Sequence, residues 1–355
     1  MTKKILSINP GSTSTKIALY EDEMEVFSES VTHSTQEIYQ FDEIIDQFDF
    51  RMNAVTSVLT KRGVELNTLA AIAGRGGLLP GLLGGGYRVN AALIEALISD
   101  KVSPHASNLG AKIASEIAEP LGINAYIYDA PSANEFPEIA VITGIPEVRR
   151  QSMCHVLNMK AMSRKVAAER GENYESLRLL VAHLGGGITF SAIDGGKIVD
   201  SLSDDAGAYA PERSGSIPIL AVVDMCFSGK YTKRELTAKI RGRGGLAAYF
   251  GTSDCREIEK MIEAGDAEAK LRYEGMAYQI AKGISLLAPV FSGQVDYVIL
   301  TGGLAHSKML TTWVSQRVGF IAPVVIAPGE DEMEALSLGV LRILRGEEAA
   351  REYAE

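Results

Sequence analysis

Ile5-Leu6-Ser7-Ile8-Asn9 runs into Pro10-Gly11-Ser12-Thr13-Ser14 and out again through Thr15-Lys16-Ile17-Ala18-Leu19-Tyr20. Two apolar runs of strand length flank a turn built from the residue types that turns require, a proline, a glycine and small hydroxyl side chains. Glu21-Asp22-Glu23 follows, where a hairpin would reverse. The middle of the chain repeats the unit: residues 179–184, then Gly185-Gly186-Gly187, residues 188–193, and the turn Asp194-Gly195-Gly196. Two copies of one strand–turn–strand unit predict a duplicated architecture with a cleft between its halves.

Further strand runs at 70–73, 126–128, 297–301 and 324–327 alternate with helical patterns at 91–98, 107–121, 156–169, 216–227, 267–287 and 333–344. That alternation predicts an α/β fold. Pro289 closes the longest helical pattern, as a helix-breaking residue should. The 355 residues exceed one ordinary core and fit two domains. The expected division is 1–150, completed by a C-terminal helix in 331–355, and 151–330.

The formal charge of −10 argues against nucleic acid as a partner, since phosphate backbones are held by clustered Lys and Arg. Cys154, Cys226 and Cys255 have no metal-ligand spacing and read as small buried residues. Met1-Thr2-Lys3-Lys4 leads directly into a strand pattern, and no apolar run reaches the ~18–20 residues that span a bilayer. The expectation is therefore no signal peptide, no membrane and a reducing, cytoplasmic setting.

Three segments could handle phosphate. The first turn exposes consecutive backbone N–H groups, with donors from Ser12, Thr13 and Ser14 and a charge from Lys16; taken alone it is equally an ordinary Ser/Thr-rich hairpin. Three glycines in a row at 185–187 weaken a sheet unless something approaches the backbone, and His183 just before them could donate to a phosphoryl oxygen. Thr301-Gly302-Gly303-Leu304 ends a buried-type strand, where small residues admit a nucleoside. No P-loop string occurs. Gly242-Arg243-Gly244-Gly245-Leu246-Ala247 fits a dinucleotide pattern, but the charged, helical stretch before it is the wrong context.

Arg75 and Arg213 sit in glycine-flanked stretches, where a guanidinium can bind a carboxylate or phosphate bidentately; either is equally a loop salt bridge. Asp129 ends an apolar strand and could hold Mg²⁺ or orient a substrate. His155 follows a basic stretch, and Glu330 opens the acidic run Glu330-Asp331-Glu332, which helix-dipole stabilisation would also explain.

Together these segments resemble the acetate kinase and butyrate kinase family of the actin-like, sugar-kinase-like ATPase superfamily, in order along nearly the whole chain. Arg75-Gly76-Gly77-Leu78-Leu79, Gly84-Gly85-Gly86-Tyr87-Arg88-Val89-Asn90 and Pro211-Glu212-Arg213-Ser214-Gly215 resemble its butyrate kinase branch. The resemblance implies two actin-like domains, each a mixed sheet with flanking helices. It implies ATP/ADP and Mg²⁺, a short-chain carboxylic acid as substrate, and a homo-oligomer, dimer or higher.

By position within motifs it implies catalytic roles for Arg75, Asp129, His155, His183 and Arg213, and metal binding by Glu330 and Asp129. Nucleotide and phosphate contacts fall on Asn9, Ser12, Thr13, Ser14, Lys16, Gly185, Gly186, Gly187, Asp254, Arg256, Gly302, Gly303 and Leu304. The competing expectations are a sugar kinase, which would want a base for a hydroxyl, and a non-catalytic nucleotide-binding module. Leu78, Leu79, Leu82 and Leu83 beside Arg75 favour an apolar acyl tail.

Overall fold

The computed structural model describes residues 2–99 and 102–354. Two compact units emerge, one formed by residues 1–134 and 331–355 and the other by 135–330.

Unit 1 contains β1 (Lys4–Pro10), β2 (Ser14–Glu21), β3 (Met24–Thr32), β4 (Ala71–Arg75), β5 (Gly86–Arg88) and β6 (Asn124–Tyr128). With the short strand Arg351–Glu352 they form one sheet, in the order Arg351–Glu352, β5, β6, β4, β1, β2, β3. β1 and β2 are antiparallel, from Lys4 opposite Glu21 to Pro10 opposite Thr15. β1 and β4 are parallel, with Ile8 beside Gly74. This pairing delivers Asn9 and Arg75 to the same edge, the carboxyl ends of the strands, where ligands of α/β sheets gather.

Ile8, Ile17, Val55, Ile72, Leu109 and Ile113 form the centre of the core beneath this sheet, all fully buried. Each such side chain contributes about 1.5–3 kcal/mol relative to exposure. The helix Leu109–Ala118 lies so close to β4 that a Cβ on Gly110 would stand 2.4 Å from the Arg75 carbonyl. Any larger residue there would push the helix off the strand that presents Arg75. The helix Glu332–Leu344 returns to this unit, N-capped by Asp331 and tied to β1 by a buried Ser7–Ser337 hydroxyl pair at 2.6 Å.

Unit 2 repeats the plan with β7 (Arg178–Leu184), β8 (Ile188–Asp194), β9 (Lys197–Leu202), β10 (Tyr297–Thr301) and β11 (Val324–Ile326), in the order β11, β10, β7, β8, β9. β7 and β8 are antiparallel, while β7 and β10 are parallel with His183 beside Thr301. The glycine turn after β7 and the glycines after β10 therefore share one edge. The helix Ala267–Leu287, capped by Asp266, buries Tyr273, Met276, Ile280 and Ile284 in the core with Phe190. The duplicated α/β plan matches the expectation from the two hairpin units.

Several boundaries move. Residues 107–121 form a helix only over Leu109–Ala118, with 3-10 turns on both sides. The helix expected from 216 begins at Ile219, because Pro218 takes the N-cap position. Lys233–Ile240 is a helix, so the glycine run after it lacks the strand that a dinucleotide fold needs. Among the described residues no helix is long and apolar enough to cross a membrane.

Candidate active site

In unit 1 the first turn closes on itself: Gly11 N–H donates to Ser14 O at 2.7 Å, and His33 N–H to Thr13 O at 2.8 Å. With those carbonyls engaged, the Ser12 and Thr13 N–H groups make no bond within the described residues. Both side chains are exposed, as is Lys16. A cavity of about 310 Å³ opens beside the turn, lined by Asn9, Ser12, Ser14, Lys16, Arg75 and Glu332 among others. Five of the expected residues are thus in one place.

Arg75 is 5% exposed and donates from Nη1 to the Asp129 carbonyl at 3.1 Å, with Glu332 3.6 Å from Nη2. Asp129 is itself buried in left-handed backbone, at φ 41°. Its Oδ1 accepts from Gly85 N–H at 2.8 Å. Non-glycine residues in that region cost on the order of 1–3 kcal/mol and cluster at functional sites. Asp129 thus meets Arg75 through its carbonyl.

Glu332, two residues past the expected Glu330, enters this cavity and accepts from Asn9 Nδ2 at 2.6 Å. The acidic run was legible in the sequence, and the expectation fell on Glu330, which lies at the glycine turns of unit 2. The register of the run against Asn9, which brings Glu332 to this cavity, carries no signal in a single sequence.

In unit 2 the His155 and His183 rings stack, 3.7 Å between centroids and 9° from parallel. His183 Nδ1 meets Asn158 Oδ1 at 2.8 Å, and its Nε2 meets Glu330 Oε1 at 3.0 Å. Asn158 is oriented by its own donation from Nδ2 to Gly329 O at 3.1 Å. His155 Nδ1 lies 2.9 Å from Thr189 Oγ1. The hydrogen bond to His183 holds the Glu330 carboxyl down at about 2, with the Gly303 N–H adding to it. Glu330 is therefore an ionised carboxylate at neutral pH.

Of the three glycines after β7, Gly185 has a steric explanation. A Cβ on Gly185 would stand 2.9 Å from Glu330 Oε1 and 3.1 Å from His183 Nε2. Gly302 has φ 89°, and a Cβ there would meet the Leu184 carbonyl at 2.5 Å. A cavity of about 350 Å³ lies against these turns, lined by Gly185, Gly186, Ser253, Gly303, Leu304 and Glu330 among others. The small residues at these turns leave room for a phosphate chain and a flat ring.

Arg213 donates from Nε to Asp204 Oδ2 at 3.2 Å, and Arg241 approaches the other oxygen at 2.8 Å. Its guanidinium flanks the glycine turn, with Cγ 3.7 Å from a Cβ built on Gly187. Asp254 caps the helix Cys255–Glu263 and pairs with Arg256 at 2.6 Å. Of that stretch Ser253 lines the cavity, while Asp254 and Arg256 face each other beside it.

Among the described residues no group of three or more His, Cys, Asp or Glu side chains is arranged to hold a metal ion. The larger cavity of about 540 Å³, lined by Ile38, Tyr39, Phe41 and Leu97 among others, contains none of the expected site residues.

A family profile described as the Acetokinase family matches residues 131–321. Butyrate kinase 2 of Clostridium acetobutylicum is 45% identical over 355 residues, covering 99% of this chain and 100% of its own. Probable butyrate kinase 2 of Caldanaerobacter subterraneus subsp. tengcongensis is 47% identical over 351 residues, covering 99% of each chain. The crystal structure of Porphyromonas gingivalis acetate kinase superposes with a TM-score of 0.78 at 19% identity, over 96% of this chain and 100% of that one. Full-length identity of this order, together with a shared fold, leads to one assignment: the chain belongs to the acetokinase family.

Proposed function

We propose that the chain transfers the γ-phosphoryl group of ATP reversibly to the carboxylate of a short-chain fatty acid, butyrate or a branched analogue. A carboxylate oxygen attacks the γ-phosphorus in line, the bond from that phosphorus to the β,γ-bridging oxygen breaks, and acyl phosphate and ADP result. A carboxylate is already ionised at neutral pH, so the step needs no general base; it needs positioning and charge neutralisation. The observation that carries the reading is Arg75: a nearly buried guanidinium at a small cavity that Ser12, Ser14 and Lys16 also line.

Arg75 would clamp the acid, held in place by the Asp129 carbonyl. Arg213 and His155 would offset charge on the equatorial oxygens of the transferring group, and His183 would act through its hold on Glu330. The cavity beside Gly303 and Leu304 would take the nucleotide. Residues 12–14 and Lys16 would donate to the transferring phosphoryl group.

Mg²⁺ fits the donor set, because it is commonly bound by one or two carboxylates plus phosphate oxygens and waters rather than by a protein cage. Glu330, ionised and lining the cavity at the glycine turns, is a carboxylate available for it. When bound it would neutralise charge on the β- and γ-phosphates.

A homo-oligomer and a cytoplasmic setting belong to the same proposal. The helix Ile219–Phe227 supports the first, with Ile219, Leu220 and Phe227 each more than three-quarters exposed. The need for ATP supports the second. The reverse reaction tests the proposal: butyryl phosphate and ADP should yield ATP, with Arg75→Ala losing at least a hundredfold in kcat/KM. Absence of ATP formation by a folded, ADP-binding wild-type protein would refute it.

A further inference from the structure

Arg51 is fully buried in the first turn of the helix Phe48–Lys61, yet none of its hydrogen-bond partners among the described residues is a carboxylate. Its Nε and Nη2 donate to Gln47 Oε1 at 3.0 and 2.9 Å. Its Nη1 donates to the Ser14 carbonyl and to Thr15 Oγ1, both at 3.1 Å. Ser14 O also takes the Gly11 N–H that closes the first turn. Thr15 Oγ1 also meets His33 Nε2 at 2.8 Å.

A buried cation without a counter-ion costs several kcal/mol, and an apolar side chain of similar volume would serve packing better. Burial pulls the Arg51 guanidinium down to about 10, with no acidic neighbour raising it, so it still carries its charge at neutral pH. Departures of this kind from ordinary core chemistry are expected at functional sites.

We propose that Arg51 is a positioning residue for phosphoryl transfer: it pins the Ser14 carbonyl from beneath and supplies an uncompensated positive charge behind the first phosphate turn. An anion bound at that turn would then be stabilised by a charge it never touches. Pinned carbonyls also leave the Ser12 and Thr13 N–H groups and the hydroxyls free for the anion. The inference rests on the assignment of this turn to the transferring phosphoryl group.

The test is Gln47→Glu, which keeps the shape and the hydrogen bonds but gives Arg51 a counter-ion. The expected result is an unchanged or raised Tm together with a KM for butyryl phosphate raised at least fivefold, ADP affinity staying within twofold. Arg51→Met should raise that KM at least tenfold, and Arg51→Lys should recover most of the loss. An unchanged KM for butyryl phosphate in Gln47→Glu, with kcat within twofold, would overturn the proposal. So would equal losses in Arg51→Lys and Arg51→Met that track their loss of Tm. If the wild-type protein does not turn over butyryl phosphate, the functional reading fails instead. Pyrophosphate-induced shifts in Tm then decide on Arg51: a smaller shift in Gln47→Glu than in wild type supports it, and equal shifts reject it.

Discussion

His155 and His183 stack face to face, with ring centroids 3.7 Å apart and planes 9° from parallel. Each ring is held at Nδ1, by Thr189 and by Asn158 respectively, and His183 Nε2 is engaged by Glu330. Of the two rings His183 is buried and His155 half-buried.

His155→Ala should lower kcat by ~10²–10³, the usual effect of removing one donor to developing charge. ADP affinity should change by less than threefold. Steady-state kinetics and calorimetric ADP titration check the pair of values, and a comparable loss in both would point to collapse of the stack instead.

The two neighbouring glycines after β10 should respond oppositely to alanine. At Gly302 the left-handed backbone and the Leu184 carbonyl 2.5 Å from a built Cβ leave no room, so Gly302→Ala should cost about 2–3 kcal/mol of stability. At Gly303 nothing lies within 4 Å, so stability should hold while nucleotide affinity falls. Denaturant titration and ADP binding separate the two outcomes.

Much of this was legible in the sequence. The two hairpin units, the strand carrying Arg75 and the glycine turns announce themselves through apolar runs and turn chemistry. What escaped has physical reasons. β3 is an edge strand with its side chains exposed or half-exposed, so no apolar face marks it. The helix Phe48–Lys61 buries Arg51 among Val55, Val58 and Leu59, and a charge at a core position breaks the stripe that would reveal a helix. The places of Glu332 and Asn158 and the Arg75–Asp129 contact depend on which strand ends the parallel pairings align, information that lies outside local pattern.

Stability should fall as pH drops from about 7.5 to about 5.5. Burial holds His33 and His105 below the ordinary histidine range, with Arg51 and Arg75 respectively adding to the effect. Unfolded histidines titrate near 6.5, so below that pH the unfolded chain takes up protons that the folded chain refuses. Their contribution is complete above about 6.5 and is lost as pH falls toward their depressed values. His33→Gln should flatten this part of the profile in urea denaturation, separately from the carboxylate transition at lower pH.

Arg75→Lys keeps the charge but loses the planar fork, and it should raise the KM for the acid at least tenfold with little change in ADP affinity. An unaltered KM would remove Arg75 from the substrate site, whatever happened to kcat.

The most direct measurement of the central claim is ATP- and Mg²⁺-dependent acyl hydroxamate formation across acetate, propionate, butyrate and isobutyrate, with glucose and glycerol phosphorylation followed by ADP release. Turnover of butyrate or isobutyrate well above acetate is expected, with none of the polyols phosphorylated. Phosphorylation of a polyol, or no turnover of any acid by a folded protein that binds ATP, would contradict the claim.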